Sequence, residues 1–265
     1  MTILDTIIAH KFMEVAERKA QVTVASLEQQ PNFARTRYSL TASLKQPNAS
    51  GIIAEIKRKS PSQGIIHPNV SVEALASGYE QAGVSGISVL TDHKFFGGTD
   101  DDLRAARNTV QVPLLRKEFI VDEYQIIEAK ALGADVILLI AACLSPDQIN
   151  QFTALAHSLG LEVLLEVHNE NELTDNLESG ADLLGVNNRN LKTFVVSVET
   201  SKRMIDRIPD SFLKISESGI DAVETAAELR ALGYDGFLMG QNFMKHDQPG
   251  QACEQFIQQL KMWKS

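Results

Sequence analysis

Two residues of opposite charge interrupt an apolar stretch, Ile52-Ile53-Ala54-Glu55-Ile56-Lys57. Extended backbone sends alternate side chains to opposite faces, so Ile53, Glu55 and Lys57 share one face. A carboxylate and an ammonium on one wall offer acid–base chemistry, and burying them is costly unless they are paired or used. The chain then leaves the run through Lys59, Ser60 and Pro61. The same residues would suit a solvated ion pair on an edge strand, so the rest of the chain must decide.

Similar groups recur at the ends of other apolar runs. These are Leu115-Arg116-Lys117-Glu118-Phe119, Leu165-Glu166-Val167-His168, Val186-Asn187-Asn188-Arg189, Glu217-Ser218-Gly219 and Met239-Gly240. By alternation Leu115, Lys117 and Phe119 share a face, as do Leu164 and Glu166. Chance would scatter ionisable groups over both ends of such runs. Their gathering at one end favours a site that uses them.

A repeat supplies the elements that position them. Four times a helical pattern ends in glycine, the residue expected just past a helix C-terminus, and runs into an apolar strand: Gly83–Leu90, Gly133–Ile140, Gly180–Val186 and Gly233–Gly240. Between them lie four more strand patterns, Ile52–Lys57, Val112–Lys117, Leu161–Val167 and Phe212–Glu217, with helical patterns such as Glu123–Leu132, Pro146–Leu159, Glu199–Ile208 and Ala222–Leu232. Eight strands alternating with helices predict an α/β fold, a (β/α)8 TIM barrel, whose active site lies at the C-terminal ends of the strands. An open doubly wound sheet is the alternative, but no Gly-x-Gly-x-x-Gly turn opens a βαβ unit. Residues 1–50 precede the repeat. Leu4, Ile7, Ile8, Phe12 and Val15 form a helical stripe, and Phe33–Lys45 reads as a further short helix. Residues 1–265 are therefore expected to form one barrel domain with an N-terminal helical extension packed on it.

The last two strands carry an anion signal. Ser218-Gly219 and Gly240 would expose backbone N–H groups, and the Gln241-Asn-Phe-Met stretch after Gly240 would begin a short helix. Glycines serving only as turns and caps would give the same pattern.

Composition fits this reading. The chain has 265 residues, 44% of them hydrophobic, with 25 Lys+Arg against 34 Asp+Glu and a net charge of −9. That balance argues against nucleic acid as a partner. The longest apolar run, Val136–Leu144, is too short to cross a bilayer. Two distant cysteines, Cys143 and Cys253, suggest neither a disulfide framework nor zinc spacing. The start lacks the basic and apolar segments of a secretory leader. A cytoplasmic protein that binds no metal is expected, a monomer or weak oligomer with no membrane partner.

The motifs resemble those of the indole-3-glycerol phosphate synthase family in its single-function form. The resemblance rests on Ile52–Ile66, Thr91–Gly97 with Phe96, Leu115–Gln125, Leu165–Val167, Gly185–Leu191 and Ser216–Ile220, and it spans nearly the whole chain. It implies ring closure of 1-(2-carboxyphenylamino)-1-deoxyribulose 5-phosphate with loss of carbon dioxide and water, and no cofactor. It implies roles for residues as well. Lys117 matches the general acid, Glu166 the base of dehydration, and Lys57 the anchor of the substrate carboxylate. Glu55 would tune the lysines, Asn187 and Arg189 would orient substrate and acids, and Ser60, with Pro61 beside it, would meet the carboxylate. Phe96, Phe119, Leu138 and Leu191 match the ring pocket, and Ser218, Gly219, Gly240 and Gln241 the phosphate site. Asn190 stands where many members have aspartate, and Gln241 where some have serine, so at 241 the backbone N–H is expected to serve the phosphate.

Other residues read more plainly. Cys143 is expected to be a buried inert thiol. His93 and His168 are expected to be solvated loop residues. Asp100-Asp101-Asp102 reads as the acidic start of a helix rather than a metal cluster. Alternatives are another phosphate-binding barrel enzyme, such as phosphoribosylanthranilate isomerase or the tryptophan synthase α-subunit, or a barrel that binds phosphorylated ligands without turnover. Neither enzyme accounts for Glu-x-Lys-x-x-Ser-Pro together with Lys-x-Phe, and a decayed site would be expected to have lost one of Glu55, Lys57, Lys117 and Glu166.

Overall fold

The structure, a computed structural model, describes residues 2–67, 70–191 and 193–263. Eight parallel strands, β1 (Ile52–Ile56), β2 (Gly86–Leu90), β3 (Leu114–Lys117), β4 (Val136–Ile140), β5 (Glu162–Val167), β6 (Leu183–Asn187), β7 (Leu213–Glu217) and β8 (Gly236–Met239), form a closed barrel. Closure comes at β1, where Ile52 pairs with Phe237 of β8 and Ile53 with Gly86 of β2. The helices preceding and following the strands are α1 (Ile3–Gln21), α2 (Val24–Glu28), α3 (Leu40–Leu44), α4 (Val72–Ala82), α5 (His93–Phe96), α6 (Asp100–Thr109), α7 (Glu123–Leu132), α8 (Pro146–Ser158), α9 (Glu170–Asp175), α10 (Glu199–Met204), α11 (Val223–Ala231), α12 (Gln241–Met244) and α13 (Pro249–Met262). Among the described residues no helix is long and apolar enough to cross a membrane.

The fourfold repeat has a hydrogen-bonding cause. Gly83, Gly133, Gly180 and Gly233 all take left-handed backbone, which only glycine adopts cheaply. Two residues after each comes a short polar side chain that accepts a backbone N–H at the start of a neighbouring strand. Ser85 accepts from Gly51 (3.1 Å), Asp135 from Leu114 (2.9 Å), Asp182 from Val163 (2.8 Å) and Asp235 from Lys214 (2.7 Å). These bonds fasten alternate strands at the N-terminal end of the barrel and satisfy backbone donors that burial would otherwise orphan.

Period-two alternation sorts the core. Ile53, Leu115, Leu138, Leu164, Leu183, Ile215 and Leu238 fill the barrel interior, whereas their neighbours Ile52, Leu114, Ile137, Val163, Leu184 and Phe237 pack with the surrounding helices. Leu40 and Leu44 of α3 join the interior cluster and plug its N-terminal end. Glu162, the first residue of β5, seats that helix by accepting the N–H groups of Leu40 (2.8 Å) and Thr41 (3.1 Å).

Several expected boundaries shift. The helix expected over Phe33–Lys45 forms only at Leu40–Leu44. Asp135 draws the preceding segment away from helix by accepting Tyr38 N–H at 2.8 Å and the Arg35 guanidinium at 2.6 Å, and Arg35 and Arg107 lie over the Tyr38 ring. Glu199–Ile208 is α10 followed by a 3-10 turn, Ile205–Arg207. The third strand starts at Leu114 instead of Val112, because Pro113 has no N–H to give a ladder. On α1 the buried residues are Ile7, Lys11 and Val15, and Phe12, expected on the apolar stripe, is 54% exposed. A lysine replaces a phenylalanine on the buried face because three carboxylates await it there.

Candidate active site

A cavity of about 370 Å³ opens at the C-terminal ends of the strands. Its lining includes Glu55, Lys57, Ser60, Pro61, Phe96, Lys117, Phe119, Leu138, Glu166, Asn187, Arg189, Leu191, Ser218, Gly219, Gly240 and Gln241, so every site residue singled out from the sequence meets the same space. Each inward side chain follows from the alternation that buries the residue two before it. Ile53 is followed inward by Glu55, Leu115 by Lys117, Leu164 by Glu166 and Ile215 by Glu217. Ile3, Leu4 and Ile7 of α1 complete one wall.

At the centre Lys117 Nζ donates to Glu166 Oε2 at 2.8 Å and to Glu217 Oε2 at 2.7 Å. Burial alone would lower the Lys117 pKa, but Glu166, Glu217 and Glu55 raise it well above the ordinary range, so the ammonium is fully charged. Burial works against the Glu166 charge, yet Lys117 and His168 hold that carboxyl well below the usual range. Glu217 differs. Burial, with the repulsion of Glu166, pushes it up to about 7 despite the pull of Lys117. One ammonium between two carboxylates thus leaves one of them firmly ionised and the other poised to titrate near neutrality.

Neighbours fix this triad. Asn187 Nδ2 donates to Glu166 Oε1 at 3.1 Å, and Asn187 Oδ1 accepts Arg189 N–H at 3.0 Å. Lys57 and Glu55 form their own close pair at the end of β1. Two inward glycines make the space these groups need. A Cβ on Gly185 would lie 2.4 Å from Glu217 Oε1, and one on Gly240 would lie 2.7 Å from Glu55 Oε1.

The turn after β7 is unusual. Ser218 and Gly219 both have left-handed backbone, φ 67 and 74, and Ser218 is strained there because it carries a Cβ. Asn188 holds the turn by donating to Ser218 O at 3.0 Å and to Ser216 Oγ at 3.1 Å, while its own Oδ1 accepts from Ser201. The register that sets Leu238 beside Glu217 brings Gly240 and the start of α12 alongside this turn. Phe96 and Phe119 stand on the other side of the mouth with ring centroids 5.8 Å apart.

The sequence reading missed two participants. Glu217 was visible as the inward partner of Ile215, but only the fold sets it against Lys117. His168 corrects an expectation, since it is not a solvated loop residue. Its side chain is 8% exposed, with Nε2 3.1 Å from Glu166 Oε1 and Nδ1 3.2 Å from Glu172 Oε2. Burial would lower its pKa, but these two carboxylates hold it up at about 9. The i, i+4 spacing of His168 and Glu172 was the available signal. His93 is exposed, as expected. Cys143 is half-buried instead of buried as expected, and partial burial with the nearby Glu166 pushes its thiol far up, which keeps it neutral. Asp100, Asp101 and Asp102 open α6 after the Thr99 cap, and Asp100 and Asp102 pair with Arg116 and Arg58.

A family model for indole-3-glycerol phosphate synthase matches residues 4–256. The chain is 44% identical over 259 residues to the indole-3-glycerol phosphate synthase of Bacteroides thetaiotaomicron, covering 98% of this chain and 99% of that one. It is also 44% identical over 258 residues to the protein of that name from Chromobacterium violaceum, covering 96% and 97%. Among solved structures, 3-hexulose-6-phosphate synthase from Salmonella typhimurium superposes with a TM-score of 0.61 at 13% identity, over 79% of this chain and 99% of that one, a likeness of fold alone. With 253 consecutive positions matched and relatives this similar from end to end, the chain belongs to the indole-3-glycerol phosphate synthase family.

Proposed function

We infer that this chain is an indole-3-glycerol phosphate synthase, a carboxy-lyase of tryptophan biosynthesis. The reaction converts 1-(2-carboxyphenylamino)-1-deoxyribulose 5-phosphate to indole-3-glycerol phosphate, carbon dioxide and water. The observation that carries this reading is the charged Lys117 ammonium held between Glu166 and Glu217 inside a cavity walled by aromatic residues on one side and glycine turns on the other.

Lys117 donates a proton to the ketone oxygen as the ring carbon bearing the carboxylate attacks the carbonyl carbon. The new carbon–carbon bond leaves that ring carbon saturated. Carbon dioxide then departs without the bonding electron pair, which restores the aromatic ring. The hydroxyl formed from the ketone leaves as water, with a proton supplied by a lysine, while Glu166 takes a proton from the new five-membered ring. Before substrate enters, Lys117 carries the proton that the first task needs and Glu166 is ionised and able to accept one in the last.

Lys57, with Glu55 beside it, anchors the substrate carboxylate together with Ser60 and Pro61. Asn187 and Arg189 orient Glu166 and the substrate. Phe96, Phe119, Leu138 and Leu191 receive the anthranilate ring. Ser218, Gly219, Gly240 and Gln241 receive the phosphate, chiefly through backbone N–H groups. The steps ask only for acids, a base and anion anchors, which these side chains supply. The protein is proposed to act in the cytoplasm as a monomer or weak oligomer, which sedimentation would test.

Incubation with the carboxyphenylamino-deoxyribulose phosphate, followed by indole fluorescence, tests the activity directly. Growth of the indole signal is expected. Saturable binding of the substrate without any product would favour a barrel that binds phosphorylated ligands only.

A further inference from the structure

Lys11 of α1 lies outside the cavity lining and takes no part in the chemistry above, yet it is 1% exposed. It stands one turn after Ile7, which does line the cavity, and points the same way. Its Nζ lies 2.9 Å from Glu14 Oε2, 3.0 Å from Asp92 Oδ2 and 2.9 Å from Glu118 Oε1. An ammonium has three protons and here meets three carboxylates. The Asp92 and Glu118 side chains are 0% and 1% exposed, so without Lys11 two buried charges would face each other.

Each of these two carboxylates also holds one wall of the ring pocket. Asp92 Oδ1 accepts the N–H groups of Phe95 (2.7 Å) and Phe96 (3.2 Å), which caps α5 and sets Phe96. Glu118 Oε1 accepts Phe119 N–H at 2.8 Å, while its Oε2 accepts from Thr91 at 2.9 Å. Phe96 and Phe119 are the tilted ring pair at the mouth, 5.8 Å apart.

We propose that Lys11 is a positioning residue that clamps the loops after β2 and β3 together through Asp92 and Glu118, and so sets the separation of Phe96 and Phe119 that receives the aromatic ring of the substrate. The proposal rests on the assignment of these two phenylalanines to the ring. It gives the N-terminal helix a role in ring recognition and leaves phosphate recognition to β7 and β8.

The test compares Lys11→Met, Asp92→Asn, Glu118→Gln and Glu14→Gln in the full-length enzyme, below the unfolding temperature of each. Both amide variants keep an acceptor for the phenylalanine N–H groups but lose the charge that Lys11 holds. Lys11→Met is expected to raise KM about three- to tenfold, the range over which aromatic contacts change affinity, with kcat within about twofold. Glu14→Gln, which touches neither phenylalanine segment, is expected to keep the wild-type KM. Calorimetry with ribitol 5-phosphate, which has the phosphate but no ring, is expected to give wild-type affinity in all four variants.

A folded Lys11→Met enzyme with unchanged KM overturns the clamp. So does a loss of ribitol 5-phosphate binding equal to the loss in KM, since that would mean general loosening. If Lys11→Met does not fold, Asp92→Asn and Glu118→Gln decide, and unchanged KM in both overturns the proposal. A wild-type enzyme without turnover would instead count against the proposed reaction, which keeps the two failures distinct.

Discussion

Lys117 Nζ on β3 donates to Glu166 Oε2 on β5 at 2.8 Å, so the proposed acid and the proposed base of the reaction are hydrogen-bonded to each other across the barrel. These contacts with Glu166 and Glu217 use two of the three ammonium protons, which leaves one to meet a ketone oxygen. Glu217 at 2.7 Å keeps Lys117 placed as it does so, and Asn187 keeps hold of Glu166. Acid and base can then act in successive steps from a single starting contact.

Glu166→Gln separates those steps. The amide still accepts from Lys117 but cannot take up a proton. Ring closure and decarboxylation are expected to survive while water loss stalls, with kcat down about 10²- to 10⁴-fold, the usual worth of a positioned acid or base. Single-turnover experiments should accumulate a decarboxylated, still hydroxylated intermediate. Release of indole-3-glycerol phosphate at the wild-type rate would contradict the role of Glu166.

The phosphate site should tolerate loss of a side chain better than gain of one. Gln241→Ala is expected to change KM by less than about threefold, because a backbone N–H survives truncation. Gly219→Val is expected to be severe. Gly219 has φ 74, where a branched side chain is strained, and a Cβ there would lie 2.5 Å from Val196 Cγ1, so Val196 or the turn must shift. Equal losses in the two variants, measured with the substrate or with inorganic phosphate, would rule out a backbone cradle.

Stability should depend on pH through His168. Its pKa in the folded protein is about 9, raised from 6.5 by Glu166 and Glu172 against the effect of burial. A raised pKa contributes stability that is fully present below about pH 6.5 and lost as pH rises through about 9. The loss over that window is roughly 2–3 kcal/mol, from 1.36 kcal/mol per unit with a discount for sharing within the cluster. Denaturant midpoints from pH 6 to 9.5 should therefore fall more steeply for the wild type than for His168→Gln. Parallel curves would show that the imidazolium does not stabilise the fold.

Much of this was legible because the barrel obeys period two. Once Ile53, Leu115 and Leu164 are inside, Glu55, Lys117 and Glu166 have nowhere else to point. Lys11 was not legible. Its carboxylate partners Asp92 and Glu118 lie 81 and 107 positions away in the chain, and a helical wheel favours Phe12, which is exposed instead. His168 was misread for a similar reason. A polar residue just past a strand usually meets water, but here Glu166 and Glu172 close over it. The Arg35–Tyr38 segment lost its expected helix to Asp135, a partner 97 residues beyond Tyr38.

The assignment of Lys117 as proton donor and Lys57 as carboxylate anchor gives two cations on one rim different tasks. Steady-state kinetics of Lys117→Met and Lys57→Met, each paired with calorimetric binding of the substrate analogue whose ketone is reduced to an alcohol, test it most directly. Lys117→Met is predicted to lower kcat by about 10²- to 10⁴-fold with little change in KM or analogue affinity, because its proton is needed mainly in the transition state. Lys57→Met is predicted to raise KM and weaken the analogue as well as lower kcat. A Lys117→Met enzyme that loses analogue binding yet keeps its turnover number would contradict the assignment of Lys117 as the acid.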